Sequence, residues 1–414
     1  MAKMSNKEII RELALQVAEI SASQYDKKVQ EWKNFNTFKS SRPMVLIDQL
    51  PWHELNPGTD MKILTEGAVA NGLEWYLRKM IYCYNNFPVD MVVLPYIEVL
   101  MRREGGFSFD VSQDISAIDE KNYGCTSHAY HGYIKNEDDL DKLFSNVPPI
   151  KFLKEETFEA RAQIDELLDG AMLTKIVGFN NPWYDIWDTM PQIYGVEECI
   201  SDLIERPEFM HEVMKRFQQM KMTELDQIEE QGLLTSGQSY IHCSGAYTDE
   251  LKTYDFQEKA ETKHVWGAGL AQIFSTVSPS MHKEFELDYA KEYYKRCGLV
   301  YYGCCDPLHL KVDIICDAIP NVRKISMSPW VNQEIGAERL ADRKVIMSRK
   351  PNPALLVDGA WDEEFVENDL RETKEVCERH GCQLEYILKD VSTLNYQPER
   401  LYKWAEIAMK VANE

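Results

Sequence analysis

Gly298-Leu299-Val300-Tyr301-Tyr302-Gly303-Cys304-Cys305-Asp306-Pro307 is the most legible stretch of the chain. A short run of aromatic and β-branched residues ends abruptly in thiols and a carboxylate, as a buried strand does where it opens into a loop. The same unit recurs downstream. Arg323-Lys324-Ile325-Ser326-Met327-Ser328 ends at Pro329-Trp330, Lys344-Val345-Ile346-Met347-Ser348 opens into Arg349-Lys350-Pro351-Asn352-Pro353, and Gln383-Leu384-Glu385-Tyr386-Ile387-Leu388 ends at Lys389-Asp390. Helix-like spacing fills the intervals, over Leu310 to Ile319, Glu334 to Ala341, Asp362 to Arg379 and Pro398 to Val411. Strands separated by helices need crossover connections and so form a parallel sheet.

Upstream, Arg42 to Asp48, Val89 to Pro95, Leu173 to Phe179 and Ser239 to Ile241 read as further strands, with a helical stretch from about Val196 to Gln231. About eight strand–helix units fit, which predicts an α/β fold of the closed (β/α)8 TIM-barrel kind. The first ~40 residues, with Ile9, Ile10, Leu13 and Val17 at helical spacing, predict an N-terminal helical extension (1–40) preceding the barrel (41–414). Residues ~100–150, rich in Gly, Asp, His and Tyr, form an irregular insertion, a lid or long loop. Neither GxGxxG after the first strand nor GxxxxGK[ST] is present, which removes the two common nucleotide-binding readings.

The chain has 414 residues, 44% hydrophobic and 28% charged, enough for a sizeable core. Acidic residues outnumber basic ones 68 to 46, a net charge of −22, which argues against nucleic acid and anionic membranes as partners. There is no apolar run of membrane-spanning length, and Met1 to Glu8 lacks a signal core, so a cytoplasmic enzyme is expected. Its 10 cysteines are spread along the chain and are expected to be reduced thiols.

Barrel active sites lie at the carboxyl ends of the strands. That rule collects Asp306, Lys350, Asn352, Lys389 and Asp390 as catalytic candidates, and Asp48, Asn180, Trp183, Tyr302, Ser326 and Trp330 as substrate-binding candidates. His242, Cys243, Cys304 and Cys305 are zinc donor types, and a zinc-bound thiolate is a strong nucleophile. The bland reading stands beside it: a buried small pair of cysteines and a hydrogen-bonded loop histidine, with no CxxC spacing.

Phe274-Ser275-Thr276-Val277-Ser278-Pro279-Ser280-Met281-His282-Lys283-Glu284-Phe285 resembles the S-x-x-S-P-x-x-F-x-E-F segment of the uroporphyrinogen decarboxylase superfamily, with His282 in place of its aromatic. Tyr194-Gly195, Leu203 and Pro207-Glu208-Phe209 resemble a second stretch of that family, and the likeness spans roughly 170–350. It implies a (β/α)8 barrel that is either a decarboxylase or a methyltransferase exchanging methyl groups with corrinoid proteins. The arginine-rich entrance that grips porphyrin carboxylates in the decarboxylases has no counterpart here. Where the methyltransferases carry a His-x-Cys zinc motif, this chain has Tyr302-Gly303-Cys304-Cys305. The resemblance implies a corrinoid-dependent methyltransferase of anaerobic one-carbon metabolism, taking a methyl group from a small O-, N- or S-methylated donor to a corrinoid (cobalamin-type) carrier protein, with zinc as the metal cofactor. The alternatives are a lyase acting on a small carboxylated substrate and a degenerate barrel that only binds a ligand. A homodimer is compatible with this reading.

Overall fold

The computed structural model describes residues 4–55, 61–108, 111–117, 126–132, 134–145, 147–179, 182–254, 258–357, 359 and 361–414. The strands that matter for function are β1 (Met44–Ile47), β2 (Tyr96–Leu100), β3 (Leu173–Val177), β4 (Trp183–Tyr184), β5 (Trp266–Gly269), β6 (Leu299–Tyr302), β7 (Val322–Met327), β8 (Ile346–Arg349) and β9 (Gln383–Leu388). A seven-stranded sheet runs in the order β1-β9-β8-β7-β6-β5-β4, every pairing parallel. Helices supply the crossovers, for example Val312–Ala318 between β6 and β7 and Glu363–His380 between β8 and β9. The α/β class and the parallel sheet follow the sequence reading.

The ladders of that sheet do not close into one ring among the described residues. Among the described residues β2 and β3 form a separate two-stranded parallel pair. The segment expected to be a strand, Val89 to Pro95, carries no ladder; the strand begins at Tyr96. Proline lacks the amide a ladder needs, and Pro88 and Pro95 bracket this segment. Asp90 joins it to β1 instead: its amide donates to the Val45 carbonyl at 2.8 Å, and its Oδ2 accepts from the Val45 amide at 2.9 Å. Ser239 to Ile241 likewise forms only a two-residue arm, Tyr240–Ile241, paired antiparallel with Ser244–Gly245. The turn between the arms places His242 at φ +53 and sits inside the curved sheet.

Strands β5 to β9 of the large sheet are buried on both faces. Val300 and Tyr302 of β6 join the main core against the helices, while Leu299 and Tyr301 join a smaller inner cluster with Ile241, Cys243, Trp266 and Ile387. Gly269 in β5 is required by close packing, since a Cβ there would stand 1.7 Å from the Tyr294 hydroxyl.

Helix α1 (Asn6–Asn36) buries Ile9, Ile10, Leu13 and Val17 in a cluster with Leu73, Leu77 and Ile97. Its last turn closes the amino-terminal end of the sheet: Trp32 Nε1 donates to the Asp90 carbonyl at 2.8 Å and Asn36 Nδ2 to the Gly245 carbonyl at 3.0 Å. In the insertion, Gln113–Ala117 and Thr126–Tyr130 pair as an antiparallel hairpin, followed by a helix at Glu137–Phe144. No described helix is long and apolar enough to cross a membrane.

Candidate active site

On one face of β7, β8 and β9 and the residues just past them, polar side chains recur at alternate positions, with Ile346 and Ile387 as apolar members of the same face. Lys324, Ser326 and Ser328, then Ser348 and Lys350, then Glu385 and Lys389 therefore line the inside of the sheet. At the deepest level Lys324 Nζ donates to Glu385 Oε2 at 2.8 Å and to Ser244 Oγ at 2.7 Å, wholly buried. One level up, the Tyr301 hydroxyl meets Ser348 Oγ at 2.8 Å and accepts from Lys350 Nζ at 2.6 Å. Lys350 is buried, and its partners among the described residues are hydroxyls and a carbonyl, not a carboxylate.

At the carboxyl ends of β6 and β9 lies the reactive group. Lys389 Nζ donates to Cys304 Sγ at 2.9 Å, Cys304 and Cys305 hold their sulfurs 3.5 Å apart, and the single S–H of Cys305 has both the Cys304 sulfur and Asp390 Oδ2, 3.2 Å away, within reach as acceptors. The turn that aims Cys304 depends on Gly303 at φ +89, where a Cβ would stand 2.4 Å from Leu308 Cδ1. The Cys304 thiol is held well below the ordinary thiol range by its hydrogen bond from Cys305, helped by the nearby His242 ring and by Lys389, against the cost of burial. Cys305, the donor of the pair, is shifted upward and stays protonated. Burial works against the Lys389 charge, but Cys243 and Cys304 outweigh it and keep the ammonium.

His242 packs edge-on between Trp183 (5.2 Å between ring centres) and Tyr301 (5.1 Å). Burial lowers its pKa, so the ring is neutral, and its Nε2 is buried without a hydrogen-bond partner among the described residues. Cys243 faces Tyr301, 3.7 Å from its hydroxyl, with a thiol raised by burial. A cavity of about 360 Å³ adjoins this group, walled by Asp48, Leu50, Trp52, Tyr240 and Cys243. Asp48 is held there by the Tyr240 hydroxyl at 2.5 Å.

The structure thus brings together His242, Cys243, Cys304, Cys305, Lys350, Lys389, Asp390 and Trp183. Other expected site residues turn elsewhere or brace the loops around the site. Tyr302 turns to the helix layer, where its hydroxyl meets His282 Nε2 at 2.6 Å and donates to Glu286 Oε2 at 3.1 Å. Asp306 is buried behind the turn and accepts from the Cys304 amide at 3.2 Å, so it shapes the loop instead of facing a substrate. Ser326 Oγ donates to the Cys304 carbonyl. Asn352 caps the short helix Pro353–Leu356 through the Ala354 amide at 3.0 Å. Trp330 is 71% exposed on the loop after β7. Asn180 lies outside the described residues.

One acid was missed from the sequence. Asp188, in the first turn of the helix Ile186–Ile193 that follows β4, accepts from Gln272 Nε2 at 2.7 Å, and Cys304 is among the charges it feels. Burial pushes its carboxyl up to about 6. A half-buried aspartate just past a strand end is the signal that marks it.

Among the described residues no group of three or more His, Cys, Asp or Glu side chains is arranged to hold a metal ion. Cys304 pairs with an ammonium and Cys243 with a tyrosine, so the expected zinc donors do not form a ligand set among the described residues.

No family model matches the chain, and no curated protein matches it. Among solved structures it is similar to a methyltransferase from Methanosarcina mazei, with a TM-score of 0.39 and 11% identity over 73% of this chain and 75% of that one. A likeness at that level carries no functional information.

Proposed function

We propose that this chain is a methyltransferase that takes a methyl group from a small O-, N- or S-methylated donor and delivers it to a corrinoid carrier protein, with Cys304 as the relay. The observation that carries the reading is the 2.9 Å contact between Cys304 and Lys389. A methyl group moves as an electrophilic carbon, and a thiolate kept anionic by a buried ammonium is a soft nucleophile suited to it. The Cys304 sulfur attacks the methyl carbon, and a carbon–sulfur bond forms as the carbon–heteroatom bond breaks. Asp188 supplies the proton that the departing heteroatom needs. The thioether then yields its methyl group and Cys304 returns as thiolate beside Lys389. The corrinoid, when its carrier is docked, supplies the nucleophilic metal that removes the methyl group. The exposed Trp330 gives the rim an apolar contact for that docking.

The test is to incubate the reduced protein with a panel of methyl donors and either reduced carrier or free cob(I)alamin. Methylcorrinoid is expected with one donor class, and none with Cys304→Ala. In a single turnover without acceptor, the peptide carrying Cys304 gains one methyl, about 14 Da, as covalent catalysis requires. No methyl transfer from any donor to either acceptor would overturn the reading.

Lys350 favours one second reading, a lyase acting on a carboxylated small molecule. A buried ammonium whose described partners include no carboxylate is matched by a substrate carboxylate. Carbon dioxide release with no corrinoid present distinguishes it.

A further inference from the structure

We infer that Cys304 and Cys305 form an oxidation site, closing to a disulfide between adjacent residues when the protein meets hydrogen peroxide and reopening with an added dithiol. The argument stands on geometry. The two sulfurs are 3.5 Å apart, so a bond of about 2.05 Å brings them about 1.5 Å nearer; the adjacent Cα atoms, about 3.8 Å apart, are closer than in ordinary disulfides, and the resulting strain favours reopening by a dithiol. The chain has the two roles an oxidation-sensitive pair requires, on neighbouring residues. Cys304 is the attacking sulfur, 6% exposed and bonded to the Lys389 ammonium. Cys305 is exposed, and Asp390 Oδ2, itself 3.4 Å from the Lys389 ammonium, lies 3.2 Å from its sulfur and can take the thiol proton once the Cys304 sulfur no longer accepts it. No other two of the free thiols are adjacent in sequence, and most are buried.

The chemistry balances. The Cys304 thiolate attacks one oxygen of hydrogen peroxide, the O–O bond breaks, and hydroxide leaves to be protonated to water; the sulfur is now a sulfenic acid. Cys305 passes its proton to Asp390 and attacks the Cys304 sulfur. The S–O bond breaks, and the departing hydroxide takes the proton from Asp390 as a second water. Two sulfurs are oxidised by two electrons and one peroxide is reduced.

Closing the pair removes the sulfur that Lys389 binds and that the proposed methyl relay uses. The inference about regulation rests on that reading; the oxidation itself does not. An enzyme handling a strongly reducing metal acceptor gains from a switch that stops it when oxidant arrives.

The experiment reads mass, not turnover. The full chain is treated with stoichiometric hydrogen peroxide under non-reducing conditions, blocked with an alkylating agent and digested. The peptide holding both cysteines is expected about 2 Da lighter and unalkylated, and dithiothreitol should restore two alkylatable thiols. Cys305→Ser should lose the 2 Da change and instead collect oxygen on Cys304 as sulfenic or sulfinic acid. Asp390→Asn, which keeps the fold's surface loop but not the proton acceptor, should slow closure several-fold without slowing the first oxidation. A wild-type peptide that is alkylated twice after peroxide, or that gains oxygen without ever losing 2 Da, would overturn the inference. Loss of methyl transfer on oxidation, regained with dithiothreitol, then tests the regulatory half; oxidation without that loss would reject it while leaving the disulfide.

Discussion

Lys389 Nζ lies 2.9 Å from Cys304 Sγ, although 85 positions separate the two residues in the chain. Each favours the charged form of the other in a place where burial opposes both. The Cys305 hydrogen bond does most to overturn the cost of burial for Cys304, with Lys389 adding to it, and Cys243 together with Cys304 overturns it for Lys389.

Asp188 sets the pH dependence of the proposed reaction. Its carboxyl is pushed up to about 6 by burial, so the proton it would donate is lost as pH rises through that value. The rate of methyl transfer from donor should fall on the alkaline side of about pH 6. Asp188→Asn should lower the rate by roughly 10²–10⁴ and flatten that limb of the profile. A pH–rate series on both proteins measures it.

Glu286 makes a stability prediction independent of function. Burial raises its carboxyl to about 8, against the hydrogen bonds from Tyr302 and Tyr294. The folded state therefore holds a proton that the unfolded chain releases near pH 4.3, and stability should fall as pH rises from about 4 to about 8. Glu286→Gln keeps a neutral group at the position and should remove that slope. Urea midpoints at pH 5 and pH 8 give the comparison.

The Lys324–Glu385 pair inside the sheet should behave asymmetrically. Lys324→Met strands a carboxylate that is wholly buried, and the expected loss is about 3–5 kcal/mol. Replacing both, Lys324→Met with Glu385→Leu, should regain most of it. Denaturant unfolding of the single and double variants decides the matter.

Gly303→Ala forces a side chain into left-handed backbone and onto Leu308. The expected cost is about 1–3 kcal/mol, with Cys304 displaced from Lys389 and its alkylation slowed at neutral pH. Thermal unfolding and peptide-resolved alkylation measure the two effects together.

How far the sequence spoke depended on which neighbour decided each residue. Strands β6 to β9 announce themselves because they are apolar runs bounded by turn residues, and their ends delivered Cys304, Cys305, Lys350 and Lys389 to one opening. The first half misled. Val89 to Pro95 has the composition of a strand, yet its flanking prolines remove ladder donors and Asp90 makes the joint to β1 with its side chain. At Tyr240–Ile241 the local pattern continued, but the turn at His242 folds the chain back inside the sheet. Face was the other hidden variable. Tyr301 and Tyr302 are adjacent and alike, and the pleat sends one to Lys350 and the other to Glu286. Asp188 escaped because its strand, Trp183–Tyr184, is only a two-residue piece.

The most direct measurement is the alkylation rate of Cys304 by iodoacetamide as a function of pH, read on its own peptide in the wild type and in Lys389→Met. The wild-type rate should already be near its plateau at pH 6 and change little up to pH 8, whereas the variant, which keeps the Cys305 hydrogen bond and loses only the ammonium, should reach its plateau at a higher pH than the wild type. A wild-type rate that climbs ten-fold per unit through pH 8, unaffected by loss of Lys389, would contradict a thiolate held at this site.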